Sequence, residues 1–288
     1  MDSVYLATLV AAHTPYWPGY LGFRLYWNAD ILTLKEERSG TPGNRTLTIT
    51  YIYIIMSYKI GFLIDKTNDW IEKFLKKENF KNNSKYKFKI FDNHLKIKNY
   101  DVVFILGYTR ILDKNFLKKS KYNLVVHESN LPKGKGFAPV QWQILKNKKN
   151  IPVCLIKAED KVDSGEIFEK IFFKLDGTEL HDEIRKKQAK ATFNIIKRFL
   201  KKFPKIFSKK QVGKSTFYRR RYPKNNLLNI NKSIKENFNL LRIGNNELFP
   251  SHFYYKSIKY IIKIFKEDKL KWLIIVPTKS SMKNFKNY

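Results

Sequence analysis

From residue 59 onward, short apolar runs alternate with stretches of helical period, the pattern of strands and helices taken in turn. KIGFLI (59–64) predicts a buried strand, and Asp65–Asn68 the turn that follows it. Asn68 or Asp69 is placed to cap the next helix, whose Trp70, Ile71, Phe74 and Leu75 share one face. KYKFKIFD (85–92) alternates as a half-exposed strand does, whereas DVVFILG (101–107) is continuously apolar and suits a central parallel strand. Leu112–Lys119 predicts a short helix, NLVVH (123–127) the next strand, and PVQWQIL (139–145) a helix opened by proline with Trp142 or Leu145 inward. IPVCLIKAED (151–160) reads as a strand, and VDSGEIFEKIFFKL (162–175) as a tight turn into another. Between Leu180 and Leu200, residues Ile184, Ala191, Ile195, Ile196 and Leu200 line one side of a long helix and lysines the other.

Strands alternating with helices imply an α/β fold, a Rossmann-like and mostly parallel sheet. Ligands in such sheets bind beyond the carboxyl ends of the strands, where His127 and the Gly107-Tyr108 turn both fall. The domain is expected to run from Met56 to about Phe203. A smaller C-terminal module (204–267) would follow, with a hairpin in the alternating run Lys259–Phe265, and then a basic tail (268–288). Residues 1–55 have a different texture: one lysine, many Pro, Gly and aromatic residues, and no sustained period. They read as an artefactual or disordered extension. The other reading is a docking appendage that adds Leu47–Ile55 as an extra strand.

Composition narrows the setting. The 288 residues, 43% of them hydrophobic, suffice for a packed core. Cys154 is the single cysteine, inside an apolar run, so it reads as a buried strand thiol in a reducing, cytoplasmic compartment. No apolar run is long enough to span a membrane, and VYLATLVAA follows Asp2 rather than a basic residue, against a secretory signal. A formal charge of +32 invites a nucleic-acid reading, but the lysines are spread over nearly every element. That spread fits a compositional origin better than a binding stripe.

The chemistry concentrates in Asn123–Phe168, where a strand delivers His127, a Pro/Gly/Lys loop follows, and Asp163 stands in an Asp-Ser-Gly turn. A histidine can donate to a tetrahedral oxyanion or relay a proton, and a nearby carboxylate favours the protonated ring and fixes its orientation. A P-loop reading of Gly134-Lys135-Gly136 fails on spacing. His94, His181 and His252 lack partners at metal-ligand spacing, so no metal is expected.

HESNLPKGKGFAPVQWQIL followed by KVDSG resembles the formyltransferases that use N10-formyltetrahydrofolate. Their signature is Asn-x-His, then Ser-x-Leu-Pro with a glycine loop, then Asp-x-Gly. His127 and Asp163 stand 36 residues apart, the spacing associated with that family. The resemblance covers roughly Lys59 to Phe265 and implies the formyltransferase fold, with His127 and Asp163 as catalytic residues. The family asparagine is Val125 here, so the oxyanion donor is expected from Asn130, with Asn123 and backbone N–H groups as alternatives. The folate co-substrate is expected against Gly107, Tyr108, Leu131, Gly134, Gly136, Ala158 and Asp160.

The strings STFYRRRYP and NFNLLRIGNNELFPSHFY look more like the sugar N-formyltransferases than the tRNA enzymes. Tyr218 and Arg219, Arg220 and Arg221 would then stack a base and bind a diphosphate, since guanidinium groups suit phosphate geometry. Asn239, Arg242 and Asn246 would either line the sugar or fix a turn. The resemblance thus implies formylation of a nucleotide-linked amino-dideoxysugar, dTDP-4-amino-4,6-dideoxyglucose being the best guess, for O-antigen, lipopolysaccharide or other surface glycans. No nucleic-acid partner is expected, and a homodimer is left open. The alternatives are a methionyl-tRNA formyltransferase and a basic nucleic-acid-binding protein on an inactive fold.

Overall fold

Strands that are apolar along their whole length need cover on both faces, and this requirement organises the sheet. The computed structural model describes residues 4–11, 31–39, 46–54, 57–78, 80–110 and 112–267. The expected basic tail lies outside them.

Three strands fall within the first 54 residues: β1 (Val4–Ala11), β2 (Ile31–Ser39) and β3 (Thr46–Ile54). They pair antiparallel in the order β1-β3-β2, a sheet separate from the main one. The expectation of a disordered extension does not hold for these strands. β3, which overlaps the run expected to add a strand, supplies the middle of this sheet and not an added edge, and its β-branched residues suit a pleated surface.

The main sheet has the order β10-β9-β7-β6-β4-β5. The chain builds it through β4 (Tyr58–Ile64), α1 (Asp69–Lys77), β5 (Tyr86–Phe91), β6 (Tyr100–Leu106), α2 (Lys114–Leu117) and β7 (Ser120–His127). A two-residue strand β8 (Lys135–Gly136), α3 (Pro139–Leu145), β9 (Asn150–Lys157), β10 (Ile167–Lys174) and α4 (His181–Lys202) follow. The neighbours β5, β4, β6 and β7 are parallel, and Ile64, Leu106 and the end of β7 emerge at one edge. Phe62 and Phe104 face α4, where the Phe104 and Phe199 rings meet edge to face at 5.7 Å. Leu63, Val103 and Ile105 pack on the other side against Ile97 and Phe116.

Two local expectations change. The strand 151–160 runs antiparallel to β7, with His127 opposite Cys154 and Leu124 opposite Lys157. The side chain of Asn68 stands at the N-cap of α1 but makes no capping bond, being drawn away to Gly107.

The chain forms two compact units that do not follow a single cut at Phe203. The first contains the residues up to Gly136, Pro152–Phe172 and Ala189–Phe217; the second contains Phe137–Ile151, Phe173–Gln188 and the chain from Tyr218. In the second unit α3 packs on α5 (Ile234–Ile243), which follows the short strand β11 (Phe217–Tyr218) in the chain. The expected hairpin is β12 (Ser251–Tyr255) and β13 (Ile258–Ile262), turned by Lys256 and Ser257 at φ 46° and 63°. Two left-handed residues match the twist of a two-residue hairpin turn. Among the described residues, no helix is long and apolar enough to cross a membrane.

Candidate functional site

The site is built at the shared edge of β4, β6 and β7. β7 buries Leu124 and Val126 and carries His127 to its end, where the residue is 5% exposed. Nε2 of His127 donates to the carbonyl of Gly134 at 2.8 Å. Nδ1 lies 3.5 Å from Oδ2 of Asp163, and that same oxygen accepts the N–H of Gly136 at 2.8 Å. Both ring nitrogens therefore face an acceptor, and the glycine loop closes directly over the histidine.

Gly134 and Gly136 have φ of 79° and 94°, a region open to glycine and strained for other residues. The loop is held by residues to which sequence reasoning assigned no role, Thr216 within STFYRRRYP and Gln211 before it. Gly134 N–H donates to the Thr216 hydroxyl at 2.8 Å, and Lys135 N–H to the Thr216 carbonyl at 2.9 Å. Gln211 donates to the carbonyls of Asp163 and Gly165 at 2.9 and 2.8 Å, fixing the turn in which Asp163 takes a φ of 50°. Asp163 is not at a strand end: the chain runs six residues past Lys157 before reaching it. A Cβ on Gly165 would lie 1.9 Å from the Lys157 carbonyl oxygen, which explains the glycine of the Asp-Ser-Gly turn.

Gly107 has φ 59°, and a Cβ there would meet Ile71 Cδ1 at 2.8 Å. Its carbonyl accepts the Asn68 amide at 2.5 Å. The Thr109 hydroxyl donates to buried Asp65 at 2.5 Å, and the Tyr108 hydroxyl lies 2.8 Å from His94 Nδ1. Asp65 and Asn68 thus pin the rim formed by Gly107–Thr109. The signal for Asp65 was a carboxylate directly after an apolar run. Leu131 is buried with Cys154 and Ile156 beneath the loop. Ala158 N–H donates to the Asn123 carbonyl at 2.8 Å, and exposed Asp160 pairs with Lys114 at 3.2 Å.

The substitute for the family asparagine does not come from Asn123. Its amide donates to the Leu117 carbonyl at 2.9 Å, and four strand residues place it about 13 Å from His127. Asn130 is exposed and its Oδ1 accepts from Lys170, leaving its NH₂ to act as a donor.

The second unit gathers the arginine run around Trp142. The Tyr218 ring stacks on the indole at 6.3 Å and 15°, and the guanidinium carbons of Arg219 and Arg221 lie 5.7 and 5.2 Å from its centroid. Arg220 lies over Phe137 at 4.6 Å, and Trp142 Nε1 donates to the Arg219 carbonyl at 2.8 Å. Arg221 also donates to Asn225 and Asn226; burial and the neighbouring Arg219 charge lower its pKa. Asn239 bonds Asn147 at 2.7 Å. Arg242, only 3% exposed, is held against Glu179, and Asn246 bonds both backbone groups of Ile264. These bonds tie Arg242 and Asn246 to partners within the second unit.

The family described as formyl transferase matches residues 59–200, so this stretch of the chain carries a formyl transferase domain. A bifunctional polymyxin resistance protein, ArnA, of Wigglesworthia glossinidia brevipalpis is 28% identical over 239 residues, 74% of this chain and 36% of that protein. The chain thus spans little more than a third of the length of this relative. A methionyl-tRNA formyltransferase from Clostridium thermocellum has a similar structure, with a TM-score of 0.60 and 21% identity over 75% of this chain and 96% of that one. A sugar N-formyltransferase from Shewanella sp FDAARGOS_354 has a TM-score of 0.56 and 13% identity, covering 74% and 98%. At these identities the structures speak for the fold.

Proposed function

We propose that the protein transfers a formyl group from N10-formyltetrahydrofolate to the amine of a nucleotide-linked amino-dideoxysugar, a cytoplasmic step toward O-antigen or another surface glycan. The observation that carries this reading is the His127–Asp163 pair under the glycine loop of a formyl transferase domain. The amine attacks the formyl carbon and a C–N bond forms. The resulting oxyanion collapses, the bond to folate N10 breaks, and the proton leaving the amine ends on N10. His127 Nε2 would donate to the oxyanion at the place the Gly134 carbonyl now holds, so Gly134 must yield to the formyl group. Asp163 orients the ring, and Asn130 is the proposed second donor in place of Val125.

In this reading the folate lies along Gly107, Tyr108, Leu131, Gly134, Gly136, Ala158 and Asp160. Tyr218, Arg219 and Arg220 take the base and diphosphate, with Arg221 holding the turn beneath them. dTDP-4-amino-4,6-dideoxyglucose is the preferred acceptor. The second reading, formylation of a charged tRNA, draws on the net charge of +32.

Incubation with N10-formyltetrahydrofolate and a panel of dTDP- and UDP-linked amino sugars or charged initiator tRNA, following tetrahydrofolate release, separates the two. We expect a formylated sugar, and a rate roughly 10²- to 10⁴-fold lower for His127→Ala. Formylation of the tRNA alone, or near-native transfer by that variant, overturns the proposal. Failure to bind folate by calorimetry would favour a nucleic-acid-binding protein on an inactive fold.

A further inference from the structure

The chain that leaves α4 crosses the first unit as a strap, residues 204–217, anchored at three points. The Ser208 hydroxyl donates to Glu166 at 2.5 Å, and Lys209 exchanges both backbone bonds with Ile167 at 2.8 and 2.9 Å. Gln211 holds the carbonyls of Asp163 and Gly165. These anchors lie between Phe207 and Val212, which stand 88% and 85% exposed. Val162, 62% exposed, lies at the same tip, because it precedes Asp163 as Val212 follows Gln211. Single exposed apolar side chains are ordinary, but three on one anchored tip call for a partner.

Their setting is cationic. Lys205, Lys209, Lys210 and Lys214 are exposed on the strap, and none pairs with a carboxylate among the described residues. Beside Phe207 a cleft of about 540 Å³ opens between β10 and the strap. Its floor is apolar, with the Phe168 and Phe199 rings edge to face at 5.7 Å, and its one carboxylate, Glu169, is taken by Lys202.

We infer that this face of the first unit docks on an anionic lipid surface, with Phe207, Val212 and Val162 entering the boundary between headgroups and acyl chains. Phenyl and aliphatic side chains ringed by lysine are the composition that such a boundary favours. Lysine stems lie along apolar surface while their ammonium groups reach the headgroup phosphates. The diffuse potential of a membrane needs charge without the fork of a guanidinium. RNA is matched less well, since unstacked bases want aromatic faces or guanidinium planes, and the valines offer neither. A net charge of +32 draws anions to every side, but the exposed apolar tip singles out this one. The anchored backbone leaves little to be ordered on docking. The inference stands apart from the acceptor and co-substrate proposed above.

The test is co-sedimentation of the whole chain with phosphatidylcholine vesicles, with and without phosphatidylglycerol. Binding is expected on the anionic vesicles and should fall as salt rises. Lys205→Gln/Lys209→Gln/Lys210→Gln/Lys214→Gln should weaken it about ten-fold or more. Lys81→Gln/Lys87→Gln/Lys118→Gln/Lys119→Gln removes the same charge elsewhere and should weaken it less than about two-fold. Phe207→Ser/Val212→Ser should weaken it about ten-fold at an unchanged melting temperature. A polarity-sensitive fluorophore on Val212→Cys should shift to the blue on these vesicles, and one on Lys118→Cys should not; Cys154 is buried and stays unlabelled. No binding to the anionic vesicles, equal losses from the two lysine variants, or native binding by Phe207→Ser/Val212→Ser overturns the inference. So does an unshifted label at Val212, or an RNA hairpin that binds more tightly than the vesicles.

Discussion

His127 and Asp163 act as a pair because one carboxylate oxygen serves two masters. Oδ2 of Asp163 receives the Gly136 N–H and faces His127 Nδ1, so the charge that orients the ring also shapes the loop above it. Asp163→Asn keeps an amide oxygen for Gly136 but removes the charge. We expect turnover to fall roughly 100-fold, with little change in melting temperature, in the sugar-formylation assay. Gly165 is a matter of space alone. Gly165→Ala drives a methyl onto the Lys157 carbonyl and should cost about 3 kcal/mol in urea unfolding. The Asp-x-Gly motif was visible in the sequence; the reason for its glycine was not, because Lys157 approaches from the preceding strand.

Among the elements, α5 shows local signals agreeing with the fold. Ser233 accepts from Glu236 N–H, and the Glu236 carboxylate reaches back to Ser233 N–H at 2.9 Å, a reciprocal cap. Ser233→Ala should therefore lower stability by about 1 kcal/mol in denaturant unfolding. At α1 the local signal was misleading. Asn68 reads as a cap, but Gly107 is 39 residues away in sequence and takes its amide. The reversal of β9 was likewise hidden, since an apolar strand buried on both faces reads the same in either direction. From residue 59 to 174 the apolar runs did fix which segments are strands of the main sheet, and Pro139–Leu145 was legible to the residue from its proline and its period.

Across the molecule, the charge of +32 makes acid the condition to examine. In the second unit Glu179 is buried with Arg242. Burial works against its carboxylate, but Lys187 and the N–H groups of Asp176, Glu179 and Gly177 outweigh it and hold the pKa below its ordinary 4.5. A lowered carboxyl pKa stabilises the fold above the unfolded value and ceases to do so as pH falls through the folded one. Hydrogen exchange in this unit should therefore accelerate from about pH 4.5 downward, leaving buried Arg242 unpaired. Glu179→Ala should cost about 3 kcal/mol at neutral pH and flatten that acid dependence, read by thermal unfolding across pH.

By itself the sequence determined the α/β class, the strand that ends in His127, the glycine loop, and the residue pair that marks the family. Those features depend on local period, on glycine where φ is positive, and on motif order, all of which are written along the chain. Tertiary structure alone decided what the site leans on: Thr216 under the loop, Gln211 behind Asp163, Asp65 and Asn68 at the rim, and Arg242 drawn to Glu179. Each is a polar side chain whose partner lies far away in sequence. Near neighbours do not reveal such a bond, because folding selects it by the cost of leaving a buried polar group without one.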